Sequence, residues 1–213
     1  MSNFTRELSQ WIYLLPAIII SLSFHEFAHA FAAHLLGDNT ARNLGRLSLN
    51  PLRHVDPIGL IMLLLFRFGW ARPVPVNPRN FRSTDEKSGM LLTAVAGPFA
   101  NILLVFVGLL LYQLLPWGAF YRLPWLHSFF MIFIYLNANL AFLNLIPVPP
   151  LDGSKILFGL LPNRFYPWLG YLERYGSILL IFLIFSGATG QIISPLSSGL
   201  INTFQKFFSL FFH

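Results

Sequence analysis

The chain has 213 residues, of which 55% are hydrophobic and 10% charged, and its formal net charge is +6. Soluble domains carry about 25% charged residues, so a water-soluble globule with one ordinary core is excluded, and the positive balance is read as basic loops facing anionic lipid rather than as a nucleic-acid surface. The chain has no cysteine, which excludes disulfides and thiolate metal sites, so any metal must be held by His, Asp or Glu.

Trp11 to Leu36 is the first apolar stretch, ended by Gly37-Asp38-Asn39. As a helix it would be about 39 Å long, enough to span a bilayer with some tilt. It outruns a signal-peptide core and has no small-residue cleavage site, so no cleavable leader is expected. Residues 37–57 are polar and turn-rich; Arg46-Leu47-Ser48-Leu49 alternates and is expected as a short strand, and Asn50-Pro51 and Asp56-Pro57 are breakers. Ile58 to Phe68 is apolar but interrupted by Arg67. It is too short to span and fits a re-entrant segment. Trp70 to Pro78, with three prolines, must be extended.

Ser88 to Leu115 is a second span, stopped by Pro116. His127 to Ile146 is a third, broken by Pro147, Pro149 and Pro150. Residues 151–175 read as a mixed loop and Gly176 to Ile193 as a fourth span. From Gly199 to Phe212 a helix would gather Leu200, Phe204, Phe207, Phe208 and Phe211 on one face. Such a helix either lies in the membrane interface or packs on the bundle. No internal repeat and no linker to a second domain is found. The expected fold is an all-α membrane protein, a polytopic helical bundle with about four full transmembrane helices plus a re-entrant segment with short β-like elements.

Charge sets the expected topology. Arg42, Arg46 and Arg53 precede the 58–70 segment, and Arg72, Arg79, Arg82 and Lys87 follow it. If the segment dips and returns, both groups face the cytoplasm, as the positive-inside rule prefers. Residues 116–126, with Arg122 alone, then face outward, and residues 151–175, with Lys155, Arg164 and Arg174, face inward.

Residues 25–29 read His25-Glu26-Phe27-Ala28-His29, in the middle of the first apolar stretch. On a helix, His25 and His29 stand one turn apart on one face and can share a zinc ion. Glu26 lies about 100° round the helix. It is placed to act as a general base on a metal-activated water rather than to ligate. Each charged group at bilayer depth costs about 2.5–3.5 kcal/mol, so three titratable groups there need a reason; the alternative reason is a polar patch between helices. A hydrolytic zinc takes three protein ligands and keeps one position open. Asp152, after the proline-broken run that follows Asn144, is the best third ligand, and its alternative role is an N-cap. His34, half a turn off the His25 face, and His54, in a polar loop, are read as structural or interfacial.

Three segments in this order resemble the site-2 protease family of intramembrane zinc metalloproteases. They are His25-Glu26-x-x-His29, Ala96-Gly97-Pro98-Phe99-Ala100-Asn101, and Asn144-x-x-Pro147-x-x-Pro150-Leu151-Asp152-Gly153. Gly37-Asp38-x-Thr40-Ala41, Gly45 to Pro51 and Gly69 to Val76 look like a compact bacterial or archaeal branch. The resemblance covers roughly residues 11–160. It implies one Zn2+ per chain held by His25, His29 and Asp152, with Glu26 as catalytic base. It implies a re-entrant, β-like 58–80 element near the site, able to pair with an unwound substrate. Asn101 and Asn144 match family asparagines that hold substrate or polarise its carbonyl; the alternative for each is an interhelical hydrogen bond.

The expected protein is therefore a single integral-membrane metalloprotease domain over residues 1–213, with core 11–160, C-terminal span 176–193 and tail helix 199–212. Its partners would be transmembrane protein substrates and the lipid bilayer, with no nucleic acid. A prokaryotic plasma membrane is the expected location, with the site nearer the cytoplasm. Many relatives carry a PDZ or nucleotide-sensing domain, for which this chain has no room. The competing readings are a non-hydrolytic membrane metal-binding or transport protein, and an inactive scaffold. Glu26 and the absence of a repeat argue against the first, since a transport site needs no base beside two ligands, and the intact set of His25, Glu26, His29 and Asp152 argues against the second.

Overall fold

The computed structural model describes residues 3–66 and 69–211, and among these every regular element is helical. Four helices are long and apolar enough to cross a membrane. The first is α1 (Asn3–Leu35), apolar from Trp11 onward. A short α2 (Thr40–Asn43) and the ten-residue α3 (Pro57–Phe66) follow. At about 15 Å, α3 is half the thickness of a bilayer core.

The second span is α4 (Glu86–Leu114). Its start is set by Asp85, whose side chain accepts from the Lys87 and Ser88 N–H groups at 3.0 Å each, satisfying two orphan donors of the first turn. After α5 (Trp117–Arg122) comes the third span, α6 (Pro124–Asn144). Then come α7 (Asp152–Leu160), the fourth span α8 (Tyr166–Phe185) and α9 (Ala188–Phe208).

The core of the bundle is α1, α4 and α6, with α7 against α4 and α9 against α4 and α6. Small residues let the helices approach: Ala17, Ala30, Ala94, Ala138 and Ala141 are buried. Large side chains face outward instead, among them Phe99, Leu103, Phe182 and Phe185. Leaving one such residue in water forgoes about 1.5–3 kcal/mol, so a row of them is stable only against lipid.

The structure corrects three expectations about elements. The fourth span is not Gly176 to Ile193 but lies about ten residues earlier, so residues 151–175 hold α7 and the first half of α8 rather than a loop. Gly176 sits inside α8 against Pro149, where an added Cβ would stand 2.8 Å from the ring. The break is Gly187, whose φ of +75° only glycine adopts without strain. The tail helix accordingly runs from Ala188 to Phe208 rather than 199–212, and it packs on the bundle: Ile201 and Phe208 join Val105, Leu109, Phe130 and Ile134 in one cluster. Arg46 to Leu49 is irregular rather than a strand. The Arg46 guanidinium reaches the Arg72 and Pro73 carbonyls, and the Ser48 carbonyl accepts from His54, so the segment is tied by side chains and not by a ladder. The β-like character of the 58–80 region is confined, among the described residues, to one antiparallel bridge between Val55 and Ala71; Ile58 to Phe66 is helical, and the expectation for residues 67 and 68 lies outside the described residues.

Candidate metal centre

Residues 25 and 29 sit near the buried centre of the bundle, on the face of α1 turned to α4. Their Nε2 atoms are 3.0 Å apart. Asp152 comes to the same point from the other end of the chain. The run 145–151 between α6 and α7 folds back on itself, and an added Cβ at Gly153 would stand 2.3 Å from the Ile146 carbonyl oxygen, so the fold there requires glycine. Leu151, not Asp152, holds the N-cap position of α7, and no side-chain cap bond is made there. The Asp152 carboxylate turns inward, with Oδ2 3.1 Å from His25 Nε2 and 3.0 Å from His29 Nε2. Its Oδ1 is 3.3 Å from Lys155 Nζ.

The far sides of both rings fix which atoms face inward. His29 Nδ1 lies 2.7 Å from the Thr93 carbonyl oxygen, which can only accept. His25 Nδ1 lies 2.7 Å from Asn101 Oδ1, likewise an acceptor. Both Nδ1 atoms therefore carry the proton in the neutral rings, and both Nε2 atoms present lone pairs. With both rings neutral, two nitrogen lone pairs and a carboxylate oxygen converge there, all buried and within 4.8 Å of one another. Such a set needs a cation. A tetrahedral zinc with ligands at 2.0–2.1 Å spaces its donor atoms about 3.3 Å apart, close to the 3.0–3.1 Å found here. Gly97 of α4 closes over the two rings with no side chain of its own.

Glu26 is buried and lines the same cavity, of ≈ 290 Å³, together with His25, His29, Asp152, Val74 and Asn144. Its Oε2 accepts from the Val74 N–H at 2.8 Å. Val74 belongs to the proline-rich extended segment, which is held across the site at three places. The Arg72 N–H donates to the His54 carbonyl at 2.8 Å, Arg46 holds the Arg72 and Pro73 carbonyls, and the Asn77 N–H donates to Asp38 Oδ2 at 2.7 Å. A larger cavity of ≈ 740 Å³ between α4, α7 and α8 adjoins this one and shares Met90, Pro150 and Lys155 with it.

The remaining sequence candidates fall in different places. Asn144 is on the cavity wall, its Nδ2 donating to Leu140 O at 3.0 Å. Asn101 is fully buried behind His25 and bonded to Asn137, so its amide is turned away from the cavity. His34 pairs with Asn39 off the metal face. His54 is buried, its Nε2 donating to the Ser48 carbonyl at 2.6 Å.

Thr93, Val74, Asn137 and Lys155 were not singled out from sequence. Thr93 and Val74 act through main-chain atoms, which leave no mark in the residue type. Lys155 was legible as Asp152-x-x-Lys155, one helical turn apart. Asn137 was legible as a lone amide at the depth of an apolar span.

Comparison with known proteins gives consistent matches. The model of "Peptidase family M50" matches residues 118–182. "Putative zinc metalloprotease YwhC" of Bacillus subtilis is 38% identical over 209 residues, 96% of this chain and 94% of that protein. The similarly named Rip2 of Mycolicibacterium smegmatis is 29% identical over 85% of this chain and 70% of its own. MJ0611 of Methanocaldococcus jannaschii is 33% identical over 47% of this chain and 49% of its own. No solved structure matches.

Proposed function

The chain belongs to peptidase family M50 and is an intramembrane zinc metalloprotease, and from that premise we propose that His25, His29 and Asp152 hold its one zinc ion and that Glu26 is its catalytic base. The observation that supports this most is the convergence of three buried donor atoms in a cavity that also holds a carboxylate outside the donor set.

Zinc held there would polarise a peptide carbonyl and acidify the water that attacks it. Glu26 accepts a proton from that water as the new C–O bond forms, then delivers it to the nitrogen as the C–N bond breaks. The Val74 N–H holds one Glu26 oxygen, which leaves the other for the water. Asn144, on the cavity wall, is placed to donate to the substrate carbonyl after turning from Leu140 O.

Substrates would be transmembrane proteins cut within or beside the bilayer. A helix buries its carbonyls in its own hydrogen bonds, so the cut segment must unwind first, and the extended segment beside Glu26 would pair with it through the backbone at Val76, its Arg72, Val74 and Asn77 N–H groups being engaged within the protein. Three further points are part of the proposal: residues 11–160 form the catalytic core, the chain sits in a prokaryotic plasma membrane, and the site opens to the cytoplasm.

Elemental analysis of detergent-purified protein, with a panel of transmembrane peptides as substrates, tests the reading. One zinc per chain and chelator-sensitive cleavage are expected. A His25→Ala, His29→Ala double variant that keeps the zinc content of the unmodified protein overturns it.

A further inference from the structure

Behind the metal-facing rings runs a buried chain of amides that the hydrolytic scheme does not use. It starts at a main-chain carbonyl. Asn137 Nδ2 donates to the Phe133 oxygen at 2.8 Å, one turn back along α6. Asn101 Nδ2 of α4 donates to Asn137 Oδ1 at 2.8 Å. Asn101 Oδ1 then accepts from His25 Nδ1 of α1 at 2.7 Å. Both asparagines are 0% exposed, so the links are shielded from bulk water.

The direction of this chain is forced at its far end. The Phe133 carbonyl can only accept, so Asn137 must turn its NH2 group to it and its oxygen to Asn101. Asn101 must then present NH2 to Asn137 and oxygen to His25. An oxygen at that place requires a proton on His25 Nδ1, which leaves the Nε2 lone pair facing Asp152. His29 needs no such device, because the Thr93 main-chain carbonyl meets its Nδ1 directly. His25 is held by a side-chain amide, and a side-chain amide can flip. Reversed, Asn101 would offer NH2 to His25, favour the proton on Nε2 and block the donor atom.

We infer that Asn137, acting through Asn101, is a positioning residue that locks His25 in the tautomer that offers Nε2 to the metal. The inference rests on the zinc site proposed above. Outer partners of this kind change metal affinity by about 10–100-fold.

The test compares Asn137→Val with Asn137→Thr, two variants of equal shape. A threonine hydroxyl can donate to the carbonyl four residues back and accept from Asn101; valine can do neither. Zinc affinity is measured by chelator competition, and the His25 tautomer by 15N NMR of metal-free protein with labelled histidines. The expected result is zinc weakened about tenfold or more in Asn137→Val, with loss of the Nδ1-protonated signature, and recovery of both in Asn137→Thr. Unchanged affinity and tautomer in Asn137→Val overturn the inference, as does equal weakening in both variants, which marks a packing role. An unmodified protein that binds no zinc overturns the metal site itself, a separate failure.

Discussion

Gly97 of α4 lies directly against His29 of α1: a Cβ added at 97 would stand 2.3 Å from His29 Nε2 and 2.6 Å from His25 Cε1. No real Cβ contact is that short, so any side chain there must displace the donor atoms. Gly97→Ala should therefore lose stoichiometric zinc, with cleavage falling in parallel. Gly108→Ala on the same helix is the control, because its Cβ would meet Ile134 at 3.1 Å, a contact a side chain can relax. Elemental analysis of both variants decides the matter, and full zinc in Gly97→Ala would show that the close approach is not maintained in the membrane.

Glu26→Gln separates the proposed base from the proposed ligands. Glutamine keeps the shape and can still accept the Val74 N–H, but it takes no proton from water. Zinc content should be unchanged while cleavage falls about 10²–10⁴-fold. Near-normal cleavage with zinc in place would remove Glu26 from the mechanism.

Asp38 ties the end of α1 to the segment that reaches Glu26. It is fully buried, and it accepts from the Thr40 N–H and hydroxyl, the Asn77 N–H and Asn80 Nδ2. Burial by itself would raise its pKa, but bonds from Thr40, Asn80 and Asn77 outweigh it and hold the carboxyl below its ordinary value of 3.8. A carboxylate with a depressed folded pKa contributes stability that is present above the unfolded value and is lost as pH falls through the folded one. Thermal unfolding in detergent should therefore show a step of destabilisation below about pH 4 that Asp38→Asn lacks. Asn at 38 also loses an acceptor, so the variant should be less stable at neutral pH. Parallel curves for the two proteins would remove Asp38 from the acid limb.

Topology can be read by labelling single cysteines placed on this cysteine-free background. Position 42 in α2 and position 79 are exposed in the basic region between α1 and α4, and Tyr121 is exposed in α5, between α4 and α6. An impermeant reagent added outside intact cells should label position 121 and spare 42 and 79. The reverse pattern would invert the assigned orientation.

The proposed ligands and base on α1 could be nominated from sequence because their spacing is local. His25, Glu26 and His29 lie within one and a half helical turns, where 3.6 residues per turn alone decide which side chains share a face. Apolar runs and proline breaks likewise marked the first three spans, since a bilayer requires about twenty apolar residues whatever their neighbours. Asp152 could be nominated because a hydrolytic metal needs a third ligand, but only packing of α7 on α4 brings it within 3.1 Å of the rings. The end of α8 was misplaced because Gly176 and Gly187 look alike in sequence. One packs on Pro149 inside the helix and the other adopts positive φ, a difference fixed by tertiary contact. The same holds for the polarity of the site. Which nitrogen of His25 carries its proton depends on an amide 76 residues away and on a second amide beyond it, Asn137. Hydrogen-bond direction is a property of facing atoms in a dry interior, and no spacing along the chain encodes it.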